Sequence, residues 1–234
     1  MEEQVAALNQ QFLNASPEEL LAWFASAYAG EIAFSTSLGA EDQVITHMIG
    51  SAKLPVRVFT LDTGRLFQET YDLLDITRKK YGIEIDTYFP ESSGVEGMVN
   101  KHGINLFYDS FENRRLCCHI RKIEPLTRAL AGMKVWVTGM RHEQSVTRST
   151  SNMVEWDARM QIIKVNPLIY WKEESLWAYI REKKIPVNEL HQKGYPSIGC
   201  QPCTRQVQPG EDVRSGRWWW ELPEFKECGL HKKD

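Results

Sequence analysis

The sequence predicts an α/β protein that is built on a parallel sheet and ends in a loop-rich tail. Short apolar segments alternate with longer segments of helical periodicity over the first half of the chain, and no stretch of the sequence repeats. Proline and glycine become frequent after residue 186, which is typical of loops. Strands that alternate with helices form right-handed βαβ units, and ligand contacts gather at the carboxyl ends of the parallel strands.

Hydrophobic spacing and capping residues place the individual elements. We predict helices over residues 2–13 and 17–29, and the second has Ser16 as its N-cap and Pro17 at its first position. A further predicted helix begins near Ala40, and others cover residues 66–81, 94–102, 117–131 and 173–183. The helix over 117–131 contains Pro125, which could instead divide it into two. The predicted strands cover residues 31–34, 56–61, 83–89, 134–138, 153–156 and 160–165.

The composition fits one domain that binds a small ligand. The 234 residues are 42% hydrophobic, so we expect a single α/β domain over residues 1–208 and a mobile tail over 209–234. The net charge of −3 argues against nucleic-acid binding. The N-terminus lacks a signal-peptide pattern and no apolar run suits a membrane helix, which indicates a cytoplasmic protein without membrane contact. Local clusters of basic residues indicate either a small polyanionic ligand or a solvated charged face.

Four of the five cysteines form two pairs that require partners at a distance. Neighbouring Cys117 and Cys118 cannot form a relaxed disulfide with each other, so their partners are expected in the Cys200-Gln201-Pro202-Cys203 motif. Four thiolates in this spacing fit a cubane iron–sulfur cluster. A structural zinc site, two disulfides and unliganded cysteines are the alternatives, although the tandem pair is unusual for zinc and the compartment is expected to be reducing. The fifth cysteine, Cys228, is either incidental or a nucleophile.

Polar residues follow three of the predicted strands. The turn Ser35-Thr36-Ser37-Leu38-Gly39 precedes a helix N-terminus, where backbone N–H groups can bind an anion, although an ordinary capped turn has the same composition. Asp62-Thr63-Gly64 follows the second strand, and Arg141 follows the strand at 134–138. These ends converge on one edge of a parallel sheet and indicate a nucleotide-sized site. Trp218-Trp219-Trp220 is interpreted as an aromatic anchor that docks the tail.

Several motifs together resemble one enzyme family. They are Ser35-Thr36-Ser37-Leu38-Gly39-Ala40-Glu41-Asp42, Leu61-Asp62-Thr63-Gly64-Arg65, Cys117-Cys118 with Arg121-Lys122, Gly139-Met140-Arg141, Gly199-Cys200 with Cys203-Thr204-Arg205, Gly216-Arg217 with Trp220, and Glu227-Cys228-Gly229-Leu230-His231. The set spans about residues 31 to 231 and resembles the assimilatory adenosine 5′-phosphosulfate (APS) reductases. The first motif departs from the Ser-Gly-Gly-x-Asp-Ser loop of the related ATP pyrophosphatases, which argues against ATP hydrolysis.

The resemblance implies an adenine nucleotide α-hydrolase-like (PP-loop-like) fold, a [4Fe–4S] cluster on Cys117, Cys118, Cys200 and Cys203, and reduction of APS to sulfite and AMP. It implies that Cys228 is the nucleophile, that His231 lowers the pKa of its thiol, and that thioredoxin or glutaredoxin is the electron donor. The cluster is expected to act electrostatically and structurally. Lys122 is expected one helical turn from Cys118. The cations expected to screen the substrate's charge are Lys122, Arg141, Arg148, Arg214 and Arg217.

Other interpretations remain open at this stage. The protein could reduce the 3′-phosphorylated substrate (PAPS) or both substrates, and a homo-oligomer is expected in either case. A different class, a non-enzymatic iron–sulfur or zinc protein that binds nucleotides or senses redox state, would lack covalent chemistry at Cys228.

Overall fold

The computed structural model of the protein describes residues 2–144 and 148–222. The chain divides into two compact units. The first unit comprises Met1–Thr60, Asp72–Asp86 and Leu130–Asn188, and the second comprises Leu61–Tyr71, Thr87–Ala129 and Glu189–Asp234. The predicted α/β class with a largely parallel sheet is confirmed. The predicted division at residue 208 stays a prediction, because residues 223–234 lie outside the described part.

The helices and strands follow the alternation that the sequence predicts. The helices are α1 (Glu2–Gln11), α2 (Pro17–Ala27), α3 (Ala40–Ser51), α4 (Gln68–Tyr81), α5 (Ser92–His102), α6 (Phe111–Cys118), α7 (Glu124–Ala129) and α8 (Glu173–Lys183). The strands are β1 (Ile32–Thr36), β2 (Arg57–Leu61), β3 (Asp86–Tyr88), β4 (Val135–Val137), β5 (Val154–Asp157) and β6 (Ile162–Val165). No helix of the described residues is long and apolar enough to cross a membrane.

The six strands form one sheet in the order β3-β2-β1-β4-β6-β5. β1 pairs in parallel with β2 on one side and β4 on the other, with Ala33 opposite Arg57 and Ile32 opposite Val135. β6 continues the parallel sheet, and β5 closes it as an antiparallel edge. The strand order therefore reverses at β1, which makes the carboxyl end of β1 the position where ligands bind in open α/β sheets.

The core of the first unit covers the central strands with helices. Phe34 of β1 and Val137 of β4 are fully buried, as are Leu21 and Phe24 of α2. α2 is held in place by a capping box, in which Ser16 Oγ accepts from the Glu19 backbone N–H at 3.2 Å and Glu19 accepts from the Ser16 backbone N–H at 2.8 Å. The carboxyl end of β1 therefore rests on an apolar core that forms within the first unit.

The outer edge of β5 is covered by one side chain of α1. Asn9 Nδ2 donates to the Val154 carbonyl at 2.8 Å, and the Val154 backbone N–H donates to Asn9 Oδ1 at 3.0 Å. The carboxamide thus makes both hydrogen bonds that a further strand would make at this residue, so the polar edge of the sheet is satisfied there.

In the second unit, the helix that carries the cysteine pair differs from the predicted one. It begins at Phe111 rather than at Cys117, because Ser110 caps it by accepting from the Asn113 backbone N–H at 3.1 Å. A π-helical turn, His119–Ile123, connects α6 to α7. Pro125 lies in the first turn of α7 and cannot donate to the residue 121 carbonyl, so the chain accommodates it by widening the preceding turn and does not end the helix.

A second apolar core surrounds two of the cysteines. Cys200 and Cys203 are buried with Met98, Phe107 and Trp218. Most of residues 186–222 form loops and short 3₁₀ turns, as the proline and glycine content predicts. Trp218 is 1% exposed, in agreement with an aromatic anchor.

Candidate functional site

The structure brings the four paired cysteines of the second unit around one cavity. Cys117 and Cys118 lie in the last turn of α6, and Cys200 and Cys203 bracket a 3₁₀ turn, Gln201–Cys203. That turn is closed by the Cys203 backbone N–H, which donates to the Cys200 carbonyl at 3.0 Å. The two pairs, which have 81 residues between them in the sequence, therefore face a common space.

The cavity is strongly cationic. It is also lined by Arg65, Arg114, Arg121, Lys122 and Arg217. Three of these, Arg114, Arg121 and Arg217, are buried. Such a concentration of buried positive charge is costly unless anions share the site, so the cavity suits thiolates or another anionic group.

Burial favours the protonated form of two of the cysteines, Cys203 and Cys117. The pKa of Cys203 is raised to about 12, chiefly by burial and also by the neighbouring Cys200, whereas Lys122 and Arg217 act to lower it. Burial likewise raises the pKa of Cys117, against the lowering effect of Arg121. Thiolates at these positions therefore need a bound positive centre, as metal ligands do.

Two buried N–H donors that belong to cavity-lining residues have no hydrogen-bond partner among the described residues. They are Trp218 Nε1 and Arg217 Nε. Arg217 does bind elsewhere, because its Nη1 donates to Ser197 Oγ at 3.3 Å and to the Ile198 carbonyl at 3.4 Å. Unpaired buried donors call for an explanation. Sulfur acceptors in the cavity would provide one.

The predicted binding motif Asp62-Thr63-Gly64 is linked to the cysteine cavity. Thr63 Oγ1 lies 3.3 Å from Cys200 Sγ, and Arg121 Nη1 donates to the Thr63 carbonyl at 2.5 Å. The motif is also ordered internally, since Asp62 Oδ1 accepts from the Gly64 backbone N–H at 2.7 Å. A ligand that contacts Thr63 would therefore contact a residue that is itself hydrogen-bonded to Cys200.

The serine-rich turn of the first unit already uses its hydroxyl groups. Ser35 Oγ accepts from Trp136 Nε1 at 2.8 Å, and Thr36 Oγ1 accepts from the Leu38 backbone N–H at 3.0 Å. Ser37 donates to Asp42 Oδ2 at 2.6 Å both from its backbone N–H and from Oγ. The next residues, Gly39 and Ala40, begin α3. The turn therefore has a fixed shape before any ligand binds.

Asp42 is a functional candidate that the sequence reading missed. Its pKa is raised to about 6, chiefly by burial and also by Glu41, whereas hydrogen bonds from Ser37 and the charge of Arg148 act to lower it. A Cβ at Gly139 would lie 2.1 Å from Asp42 Oδ1, so position 139 must be glycine while the carboxylate occupies this place. The sequence around Asp42 does not predict this shift in pKa, because the burial that causes it arises only from the fold.

Arg141 and Arg148 are buried in the first unit with polar partners of their own. Arg141 Nε donates to Glu41 Oε1 at 2.8 Å and its Nη1 to Glu143 Oε2 at 3.2 Å. Arg148 Nη1 donates to Gln144 Oε1. Substrate contact by Arg141 stays a prediction, and it would require the substrate to share or replace these carboxylates.

The remaining predicted residues belong to the second unit. Lys122 lines the cysteine cavity and is half-buried, but it reaches this place through the π turn rather than through an α-helical turn after Cys118. Arg214 is half-buried, and its backbone N–H donates to Asp212 at 2.8 Å. Cys228 and His231 lie outside the described residues, so their predicted roles stay predictions.

The structure adds two buried arginines, Arg114 and Arg121, to which the sequence assigns no individual role. Arg121 contacts Thr63 as described above, and Arg114 forms a two-pronged ion pair with Glu221. Their partners lie 58 and 107 residues away in sequence, and local spacing carries no information about such contacts.

Comparisons with known proteins agree with the residues that the structure brings together. The APS reductase of Allochromatium vinosum is 54% identical over 203 residues, which cover 87% of this chain and 79% of that protein. The APS reductase of Neisseria meningitidis serogroup B is 50% identical over 200 residues, which cover 85% and 81%. The crystal structure of the PAPS reductase from Candida auris has a TM-score of 0.75 and 32% identity, and covers 88% of this chain and 98% of that one.

A more distant likeness concerns the fold alone. The FMN adenylyltransferase of Candida glabrata matches with a TM-score of 0.56 at 16% identity, over 92% of this chain and 73% of that one. Residues 31–206 match the phosphoadenosine phosphosulfate reductase domain. That match includes all four cavity cysteines, and the chain belongs to this family.

Proposed function

We propose that the protein reduces APS to sulfite and AMP with electrons from a thioredoxin-type dithiol. The observation that carries the proposal is the cationic cavity around Cys117, Cys118, Cys200 and Cys203 in a chain of this reductase family. Relatives that are 50–54% identical are named APS reductases. The proposal places the protein in the cytoplasm, where dithiol donors are kept reduced.

We further propose that the four cysteines hold a [4Fe–4S] cluster. No three Cys, His, Asp or Glu side chains within residues 2–144 and 148–222 are arranged to hold a single metal ion. A zinc ion needs its four ligands around one point, whereas a cubane takes one thiolate at each of four irons and so fits thiols spread around a cavity. The buried N–H groups of Trp218 and Arg217 would find sulfur acceptors there. When bound, the cluster would supply the positive core that keeps the four thiols ionised, two of which, Cys200 and Cys203, are buried.

Cys228 is the proposed nucleophile. Its thiolate would attack the sulfur of APS, so that an S–S bond forms, the bond from sulfur to the phosphate oxygen breaks, and AMP leaves with that electron pair. A thiolate of the dithiol would then attack Cys228 Sγ and release sulfite, and the second thiol would resolve the mixed disulfide. Two electrons pass from the dithiol to the sulfur. His231 would favour the Cys228 thiolate.

The chain's cations and turns would position the substrate. Lys122, Arg214 and Arg217 would balance the charge that develops on the sulfonate oxygens, an effect that is typically worth a few kcal/mol per well-placed donor. The proposed substrate contacts in the first unit are Ser35, Thr36, Ser37, Gly39, Arg141 and Arg148, and those in the second unit are Asp62, Thr63 and Gly64. Asp42 already occupies the Ser37 donors, which disfavours a longer phosphate chain at that turn.

The decisive experiment traps the intermediate. Incubation with APS and no dithiol should add one SO3 group, about 80 Da, to Cys228, as covalent catalysis at this residue requires. Cys228→Ser should keep its iron, bind APS and show neither the adduct nor sulfite release. An adduct that maps to another cysteine, or turnover by the serine variant, would disprove the assignment of the nucleophile.

PAPS is the alternative substrate, and it is supported by the 32% identical PAPS reductase structure. Measuring kcat/KM for APS and PAPS side by side decides between them. We expect APS to be favoured, since the more similar relatives carry that name. An equal or reversed preference would identify a PAPS or dual-substrate reductase.

We also propose that the protein forms a homo-oligomer. Light scattering of the iron-loaded protein tests this separate part of the proposal.

A further inference from the structure

The segment formed by residues 214–222 connects the cysteine cavity to the part of the chain that carries Cys228. Its backbone is joined to the second cysteine pair. The Trp218 backbone N–H donates to the Cys203 carbonyl at 3.2 Å, and the Arg205 backbone N–H donates to the Gly216 carbonyl at 3.0 Å. Thr204 and Arg217 form an antiparallel bridge beside them. A cysteine ligand therefore supports this segment directly through the main chain.

The other end of the segment is joined to the helix that carries the first cysteine pair. Glu221 accepts from Arg114 Nε at 2.9 Å and from Arg114 Nη2 at 2.8 Å. Only 2% of the Arg114 side chain and 6% of the Glu221 side chain are exposed. Arg114 lies on α6 and also donates a hydrogen bond to the Cys118 thiol. One guanidinium thus contacts both Cys118 and Glu221, near the end of the segment.

Arg114 is held in this position by aromatic rings as well. Its guanidinium carbon lies 4.7 Å from the centre of the Trp218 ring and 5.0 Å from that of Phe111. Glu221 in turn closes the segment by donating its backbone N–H to the Trp218 carbonyl at 2.8 Å. A buried two-pronged ion pair costs free energy to separate, because either partner alone would be an uncompensated buried charge. Segment 214–222 is therefore fixed at both ends, and each attachment includes a cysteine of the cavity or a neighbour of one.

We propose that the Arg114–Glu221 ion pair and the Trp218–Cys203 backbone bond act as a clamp that couples occupancy of the four-cysteine cavity to the anchoring of segment 214–222. A cluster bonded to Cys118 and Cys203 fixes both attachment points at once. The inference rests on the proposed function, in which Cys228 is the nucleophile. Cys228 is seven residues beyond Glu221, and a chain spans at most about 3.5 Å per residue, so the clamp sets the region of about 25 Å that the thiol can reach.

Hydrogen exchange read by mass spectrometry tests the clamp without any substrate. The iron-loaded full-length protein is compared with the same protein after chelation of iron, and with loaded Glu221→Gln and Arg114→Lys. We expect the amides of residues 214–222 to exchange about tenfold faster or more after chelation, by more than those of α5 in the same unit, since local opening sets their rates. Glu221→Gln should show fast exchange there even when loaded, because Arg114 has lost its carboxylate.

A matched control removes a similar but exposed ion pair. Arg205 Nη1 and Nη2 each donate to a carboxylate oxygen of Glu211 at 2.9 Å. About a third of each side chain is exposed, and neither residue lines the cysteine cavity. Loaded Glu211→Gln should exchange like the wild type at residues 218–221. Arg114→Lys keeps the charge but loses the planar fork, so it should resemble Glu221→Gln.

Three results would overturn the clamp. One is unchanged exchange of residues 214–222 after iron removal, and another is an even rise across the second unit, which would make the cluster a general support. The third is equal exchange in loaded Glu221→Gln and Glu211→Gln. If Glu221→Gln does not retain iron, the comparison rests on Arg114→Lys and on the chelated wild type. The exchange experiment can fail while APS is still reduced, and the adduct experiment can fail while the clamp holds, so the two proposals are tested separately.

Discussion

Asp42 gives the first unit a stability that depends on pH. Its pKa is about 6 in the fold because of burial, against an ordinary value of 3.8, so the folded protein binds more protons than the unfolded chain between these values. The free energy of unfolding should therefore fall as pH rises from about 4 to about 6, by about 3 kcal/mol in total, and stay level above pH 6. The side chain still holds Ser37 when ionised, at the cost of a buried charge.

Replacing Asp42 by Asn tests this sign. The difference in unfolding free energy between Asp42→Asn and the wild type should shift in favour of the variant across that pH window, as measured by urea denaturation at fixed pH values. Asp75→Asn is the control, because Asp75 forms an exposed ion pair with Lys79. Parallel pH profiles for Asp42→Asn and the wild type would show that Asp42 ionises normally.

Lys122 is the cation for which the proposed chemistry makes the clearest kinetic prediction. It lines the cysteine cavity and lowers the pKa of Cys203, yet it is not an iron ligand. Lys122→Ala should therefore lower kcat/KM for APS by at least about tenfold, since removing one well-placed donor typically costs about 100-fold or more, and leave the iron content unchanged. Lys193→Ala, at an exposed position, should have wild-type kinetics. Normal turnover by Lys122→Ala would show that the charge of Lys122 does not contribute to the reaction.

At the scale of elements, the π turn His119–Ile123 sets the angle between the cysteine pair and α7. Deleting His119 should convert it toward an α-helical turn, which rotates the flanking residues by about 100° relative to each other. Arg121 would then leave Thr63, and we expect the iron content measured by a colorimetric assay to fall by at least half. His119→Ala keeps the register and loses only a half-exposed contact with Glu124, so it should retain iron. A fully loaded deletion variant would show that the turn has no such role.

The elements that the sequence predicted best are those whose burial follows a simple period. The helix Glu173–Lys183 has its predicted bounds, and β1 and β2 differ from theirs by one or two residues. The π turn was missed because it results from Pro125 within a helix that is held by tertiary contacts. The convergence of the cysteines was predictable from their chemistry. The roles of Arg114 and Asp42 were not, because they depend on Glu221, 107 residues away, and on burial that only the fold creates.

At the scale of the whole molecule, the two units differ in what forms their cores. The first unit packs aliphatic and aromatic side chains such as Phe24, Phe34 and Ile45, whereas the core of the second includes Cys200 and Cys203. Because the energy of ligand binding adds to the energy of folding, Cys203→Ser should destabilise the second unit selectively. Hydrogen exchange in increasing urea should show α5 and α6 opening at lower urea than the central strands. Simultaneous opening of both units would contradict this expectation.

The carboxamide of Asn9 on Val154 also has a consequence for self-association. A sheet can grow across two copies of a chain only where an edge strand has unused N–H and carbonyl groups. At Val154 of β5 both groups are taken, so a second copy could add a strand there only by displacing α1. At this position, two copies of the protein that met at β5 would therefore interact through side chains rather than through a continuous sheet.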